Sequence, residues 1–153
     1  MVIWIIGLSG AGKTTLANKL AIDLKNQNKP VVLLDGDAIR EIFDNDLGYE
    51  MEDRLLNAKR ICQIGKFLED QGLIVICAIL SLFVENQEWN RKNLKNYFQV
   101  YIDTPKENLI ERDTKGLYRK FLQGEINNVA GMDLDFPEPV NSDLVIQNNQ
   151  EEK

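Results

Sequence analysis

Apolar positions in this chain fall into short unbroken runs separated by stretches with helical spacing, which predicts a layered α/β architecture. Val2-Ile3-Trp4-Ile5-Ile6 reads as a buried strand that opens on a glycine turn. From Lys13 to about Gln27, Leu16, Leu20 and Leu24 recur at helical spacing until Pro30 stops any continuation. Val31-Val32-Leu33-Leu34 is a second strand, and Asp35-Gly36-Asp37 opens a short helix carrying Arg40. The longest helical pattern covers 52–71, with Leu55, Ala58, Cys62 and Gly65 on one face and Gly72 as its stop. The run from Leu73 to Ala78 is the most apolar and predicts a central strand. A polar helix is expected from Glu85 to Lys95, then a strand from Phe98 to Ile102. Thr104 is the expected N-cap of the next helix, with Pro105 at its first position. Leu144-Val145-Ile146 gives a last strand, and the tail over 147–153 is expected to fray. With no repeat or linker, the expectation is one domain over 1–153: a parallel sheet of about five strands, helices on both faces, and ligands at the strands' carboxyl ends.

The predicted strand ends carry the chemistry. Gly7-Leu8-Ser9-Gly10-Ala11-Gly12-Lys13-Thr14 is a complete G-x-x-x-x-G-K-[ST] phosphate loop, followed by Thr15, between a strand and a helix. Its glycines let backbone N–H groups close around phosphate oxygens, and the helix N-terminus adds a favourable dipole. Lys13 would reach the β/γ-phosphates of ATP, and the Thr14 hydroxyl would ligate Mg²⁺. A chance glycine turn is the bland alternative, and the flanking strand and helix argue against it. This points to a P-loop NTPase fold. At the end of a strand expected beside the loop strand, Asp35 could hold Mg²⁺ with Thr14, partly through water, and Asp37 could accept a proton from an acceptor hydroxyl. Capping of the short helix is the competing role for this pair, and Asp37 could both cap and act. Ser81 also lies at a strand end.

Composition narrows the chemistry. The chain has 153 residues, a net charge of −6, no basic tract, and no apolar stretch near the roughly 20 residues that span a bilayer. Nucleic acid and membrane are therefore not expected partners, and the first apolar run is too short for a signal peptide. The two cysteines, Cys62 and Cys77, lack metal spacing and read as buried thiols of a cytoplasmic protein. There is no histidine, so any general base must be a carboxylate, lysine, tyrosine or cysteine. From Arg112 to Lys120 four basic residues face one acidic residue, an island of positive charge on an acidic protein. It reads as a mobile lid over a transferring phosphoryl group, or as a solvated helix face.

Taken together, the phosphate loop, Leu34-Asp35-Gly36-Asp37-Ala38-Ile39-Arg40, Asp46-Leu47-Gly48-Tyr49, and Asp53-Arg54 with Asn57 and Arg60 resemble adenylylsulfate kinase. Arg112-Asp113-Thr114-Lys115-Gly116-Leu117-Tyr118 and Gly131-Met132-Asp133 extend the resemblance over nearly the whole chain. It implies phosphoryl transfer from MgATP to the 3′-hydroxyl of a small nucleotide acceptor modified at its 5′-phosphate, by an enzyme of a family that is often dimeric. Carried over by position, Asp37 would take or orient the hydroxyl proton, and Arg40 and Arg54 would grip the acceptor's anionic groups. Asn57 and Ser81 fall on the acceptor side, and Tyr49 would stack on the acceptor base. Arg54, Asn57 and Arg60 could share one binding edge of their helix, with surface ion pairing as the alternative. Arg112 would lie on the ATP-base side, and Lys115, Arg119 and Lys120 on a lid of about 112–130.

The departures fall on the acceptor side. Where the family reads S-P-[FY]-R, this chain reads Ser81-Leu82-Phe83-Val84. Where it reads [KR]-x-F-T-G-[IV]-D, this chain reads Asn127-Asn128-Val129-Ala130-Gly131-Met132-Asp133, so Val129 replaces a stacking aromatic. An offshoot of the family phosphorylates cytidine diphosphoramidate at the same position in capsule synthesis, and a smaller pyrimidine would suit an aliphatic wall. Adenylylsulfate and the cytidine compound both remain open as acceptors. A GTPase would need N-K-x-D, and neither Asn18-Lys19-Leu20-Ala21 nor Asn28-Lys29-Pro30-Val31 supplies the aspartate. A catalytically silent nucleotide-binding partner is the other alternative, opposed by the joint retention of Lys13, Thr14, Asp35 and Asp37.

Overall fold

The computed structural model describes residues 1–149. Eleven elements follow in the order β1 (Val2–Ile6), α1 (Lys13–Asn26), β2 (Val31–Asp35), α2 (Gly36–Ile42), α3 (Met51–Asp70), β3 (Ile74–Ile79), α4 (Val84–Asn93), β4 (Tyr97–Asp103), α5 (Lys106–Arg112), α6 (Leu117–Leu122) and β5 (Leu144–Gln147). The five strands are parallel and lie in the order β2-β3-β1-β4-β5. β1 occupies the middle, so its carboxyl end delivers the glycine turn to the centre of the crevice edge. The most apolar run, β3, is interior and pairs with β1 on one side and β2 on the other.

Alternation along the strands feeds two cores. Val2, Trp4 and Ile6 pack with Ile61, Cys62, Val75 and Cys77 on one face. Ile5 packs with Ala17, Ala21, Ile76, Val100 and Leu109 on the other. Both faces are covered, which is why β1 reads as unbroken apolar sequence. Val2, Trp4, Ile5 and Ile6 are fully buried, each stabilising the fold by about 1.5–3 kcal/mol. The two alanines of α1 let that helix approach the sheet closely and hold its N-terminus over the end of β1.

Three expectations need correction. Pro105 is the cap of α5, with φ −54 and ψ 140, and its carbonyl accepts from Leu109 N at 3.1 Å. Thr104 is instead buried and its hydroxyl has no hydrogen-bond partner. The tail does not loosen at 147: Gln147 ends β5, and Asn148 N donates to Asp103 O at 2.8 Å. Only 150–153 of that expected tail lie outside the described residues. Finally, β2 is not beside the loop strand, because β3 lies between them.

The polar helix α4 turns amide side chains inward. Asn86, Gln87 and Asn90 are buried, and Gln87 Nε2 donates to Ser81 Oγ at 3.3 Å. No apolar stripe marks this helix because amides fill its core-facing positions. No helix among the described residues is long and apolar enough to cross a membrane.

Candidate active site

Between β1 and α1 the chain must reverse tightly around a space. Gly10 and Gly12 adopt φ +81° and +100°, a region glycine enters without a Cβ penalty. At Gly7 the constraint is closeness: a Cβ would meet Ile102 O at 3.0 Å and Ala11 Cβ at 3.1 Å. Lys13 folds back, its Nζ donating to Leu8 O at 2.8 Å. Desolvation, reinforced by the charge of Lys115 and opposed by Asp35 and Asp37, draws its pKa from 10.5 down to about 8. An anion arriving here would meet a lysine that gains from being charged.

A cleft of about 610 Å³ opens from this loop. It is lined by Ser9, Gly10, Gly12, Lys13, Thr14 and Thr15 of the loop, and by Asp35, Gly36, Asp37 and Arg40 of the β2–α2 junction. Tyr49, Arg54, Asn57, Ser81, Val129, Lys115 and Lys120 also line it. Residues more than 100 positions apart therefore converge, at a size usual for a small-molecule site. Gly7, Leu8, Ala11, Arg112 and Arg119 stand outside the lining. Gly7 and Ala11 lie beneath the loop, and Leu8 enters through its carbonyl. Arg60 turns away from the shared edge expected for it: it pairs with Asp46 at 2.7 Å and stacks on Phe43 at 4.3 Å.

The two aspartates separate in role. Asp35 Oδ1 accepts from Asp37 N at 2.9 Å, so Asp35 caps α2 and Asp37 does not. Asp37 is exposed, and its Oδ2 accepts from Lys115 Nζ at 2.9 Å. The segment carrying Lys115 thus reaches across the cleft. Within it, Asp113 accepts from Tyr118 N and Arg119 N, both at 3.0 Å, which fixes the start of α6. Tyr118 is 2% exposed and its hydroxyl donates to Ser9 O at 2.8 Å.

On the α2–α3 side, cations are held by backbone carbonyls. Arg40 Nη1 donates to Leu47 O at 3.1 Å and Gly48 O at 2.6 Å. Arg54 donates to Tyr49 O and Asn128 O, both at 2.7 Å. Burial first, and the charge of Arg40 second, lower the pKa of Arg54. Both guanidiniums lie against the Tyr49 ring, 4.5 and 5.3 Å from its centroid. Asn57 Oδ1 is buried without a protein partner, leaving an acceptor beside the cleft. Ser81 sits at φ +55°, its hydroxyl held by Trp4 and Gln87.

Val129 is 3% exposed within the cleft wall, whereas Val84 is the first residue of α4 and outside the lining. The two departures from the expected motifs are therefore not equivalent. Asp133 fixes the Val129 segment by accepting from Asn128 N at 2.8 Å and Val129 N at 2.7 Å. Sequence reasoning missed Asp133 as an organiser, although the small loop around Gly131 with a nearby aspartate was a usable signal. It also missed Thr114, Leu117 and Ile126 in the lining, which carry no distinguishing chemistry.

The donor set suits Mg²⁺ better than a metal caged by protein alone. Thr14 and Asp35 offer hard oxygens in the cleft, and no cluster of three His, Cys, Asp or Glu able to hold a metal exists among the described residues. Mg²⁺ commonly takes one or two protein oxygens and completes its shell with water and phosphate.

The sequence pattern of the adenylylsulphate kinase family matches residues 1–147. The chain is 45% identical to a cytidine diphosphoramidate kinase of Campylobacter jejuni, over 99% of this chain and 91% of that one. It is 40% identical to an adenylyl-sulfate kinase of Pseudomonas aeruginosa, over 99% and 78%. Among solved structures, it superposes with a TM-score of 0.91 on a Mycobacterium tuberculosis APS kinase in complex with AMPPNP and APS. That match has 33% identity and covers 97% of this chain and 88% of the other. The chain belongs to the adenylylsulphate kinase family and is a phosphotransferase acting on a hydroxyl group.

Proposed function

We propose that the protein transfers the γ-phosphate of MgATP to the ribose 3′-hydroxyl of a nucleotide modified at its 5′-phosphate, with adenylylsulfate as the acceptor of the parent reading. The observation carrying this is the convergence of Lys13, Asp37, Arg40 and Arg54 on one cleft. The loop N–H groups and Lys13 bind the triphosphate and stabilise charge on the transferring group. Thr14 and Asp35 would hold Mg²⁺, which neutralises the β/γ oxygens when bound. Asp37 accepts the hydroxyl proton at Oδ2, the atom now paired with Lys115. Arg40 and Arg54 exchange carbonyl partners for the acceptor's anionic groups, and Tyr49 exchanges cations for the acceptor base. Free, buried Cys62 and Cys77 fit a reducing cytoplasm.

A second reading keeps the chemistry and changes the acceptor to cytidine diphosphoramidate. It is supported by Val129, which lines the cleft where the family resemblance expects an aromatic. Base stacking on an aromatic contributes about 1–3 kcal/mol, so the exchange weighs on acceptor choice. The deciding experiment couples ADP release to MgATP turnover and compares kcat/KM for the two compounds. A preference for adenylylsulfate assigns sulfate activation and makes Val129 tolerated drift. A preference for the cytidine compound makes Val129 part of the specificity wall. No turnover with either would reject both.

A further inference from the structure

The phosphate loop is held from outside by two side chains that its own motif does not contain. Asn148, just beyond β5, donates from Nδ2 to Ala11 O at 3.0 Å. Tyr118, in α6, donates from its hydroxyl to Ser9 O at 2.8 Å. Each contacted carbonyl belongs to the peptide that carries the next glycine's N–H: Ser9 O with Gly10 N, and Ala11 O with Gly12 N.

A planar trans peptide points its C=O and N–H in opposite directions. The described chain has no cis peptide. Anchoring Ser9 O on α6 and Ala11 O on the segment after β5 therefore turns the Gly10 and Gly12 N–H groups the other way. Neither N–H has a backbone partner among the described residues, whereas Ala11 N is used internally, donating to Leu8 O at 3.1 Å. Gly10 and Gly12 also line the cleft. Glycines at positive φ can rotate more freely than other residues, so an unbraced loop would spread these N–H vectors.

We infer that Asn148 and Tyr118 are positioning residues that aim the Gly10 and Gly12 N–H groups at the triphosphate. The inference rests on the reading of this loop as a phosphate cradle. It links ATP affinity to a residue in the last described stretch of the chain, and to the docked state of the lid. The packing agrees: a Cβ on Gly12 would approach Asn148 Nδ2 to 3.3 Å, so the amide lies directly against the loop.

The test measures binding of a non-hydrolysable ATP analogue with Mg²⁺ to the full chain, and the KM of each substrate, in Asn148→Ala, Asn148→Asp and Tyr118→Phe. Asn148→Ala and Tyr118→Phe should each weaken the analogue about fivefold, since each removes one neutral hydrogen bond. Asn148→Asp should weaken it further, because a carboxylate would face the Ala11 carbonyl. The acceptor KM should stay at its wild-type value in all three. If wild type binds the analogue and Asn148→Ala and Asn148→Asp bind it equally well, the inference fails while the cradle reading stands. Equal losses for ATP and acceptor also overturn it, because they indicate a general structural role. If wild type binds no analogue, the cradle reading fails and takes the inference with it. A melting curve for Tyr118→Phe separates loss of aim from loss of fold.

Discussion

The loop side and the α2–α3 side of the cleft are built on different principles. On the loop side, backbone shape is fixed by three carbonyls: Leu8 O, Ser9 O and Ala11 O accept from Lys13, Tyr118 and Asn148. A bound phosphate would find donors already aimed. On the α2–α3 side, Arg40 and Arg54 donate to the Leu47, Gly48, Tyr49 and Asn128 carbonyls, and both guanidiniums lie over the Tyr49 ring. On the proposed reading, an acceptor would compete with those carbonyls for the two guanidiniums. The loop side is preorganised and its sequence matches the family's without a gap. The other side is held by its own carbonyls, and Val129 lies in its wall.

Lys13→Ala attacks the preorganised side and should have the largest effect. Loss of the only loop cation should lower kcat by a factor on the order of 10³ and weaken ATP, with acceptor binding retained. Pre-steady-state measurement of each substrate's affinity checks the separation, and an active Lys13→Ala variant would remove the loop from the chemistry. Asp37→Asn cuts between the two sides. It keeps the shape and removes the base, so kcat should fall by a factor on the order of 10² while ATP affinity holds. Because Asp37 also receives Lys115, unchanged turnover would leave it only the role of a lid latch.

The same contrast explains what could be read from the chain. Strands β1 and β3 were legible because burial on both faces writes unbroken apolar runs, and the loop was legible because its backbone demands glycines at fixed spacing. Asp35 and Asp37 were found as a pair, but which one caps α2 was not, since either carboxylate can reach an N–H in that turn. Helical spacing puts Arg60 near Arg54 and Asn57, yet its side chain turns from the cleft to Asp46 and the Phe43 ring, the surface ion pairing that was the alternative. Asn148 and Tyr118 were invisible as loop partners. Their contacts span 137 and 109 residues and exist only once β5 and α6 have docked. The inward amides of α4 gave no hydrophobic period to detect.

Val129→Phe sharpens the comparison on the acceptor side. Restoring a ring should move the ratio of kcat/KM toward adenylylsulfate by about tenfold, in keeping with the stacking energy of one base. At 3% exposure the site is tight, so the variant should also lose about 1–3 kcal/mol of stability through overpacking. The ratio cancels any shared loss of folded enzyme. A ratio that does not move would place the base against another wall.

The smallest effect concerns Lys13 and pH, and its two signs are opposite. In the free protein Lys13 is held near 8, by desolvation above all, against 10.5 in an unfolded chain. Across that window the unfolded chain binds more protons, so the lysine's contribution makes the ligand-free protein more stable as pH rises. Binding reverses the sign. Triphosphate oxygens favour the charged lysine, the complex keeps its proton, and affinity falls as pH climbs above about 8. The loss should reach about fivefold between pH 8 and 9, with proton uptake visible by calorimetry in buffers of differing ionisation heat. Below the window the affinity should be flat with respect to this group. Lys13→Arg remains charged throughout and should bind without the slope, whatever its absolute affinity. The same slope in that variant would assign the proton to another group and leave the loop lysine charged in the free enzyme.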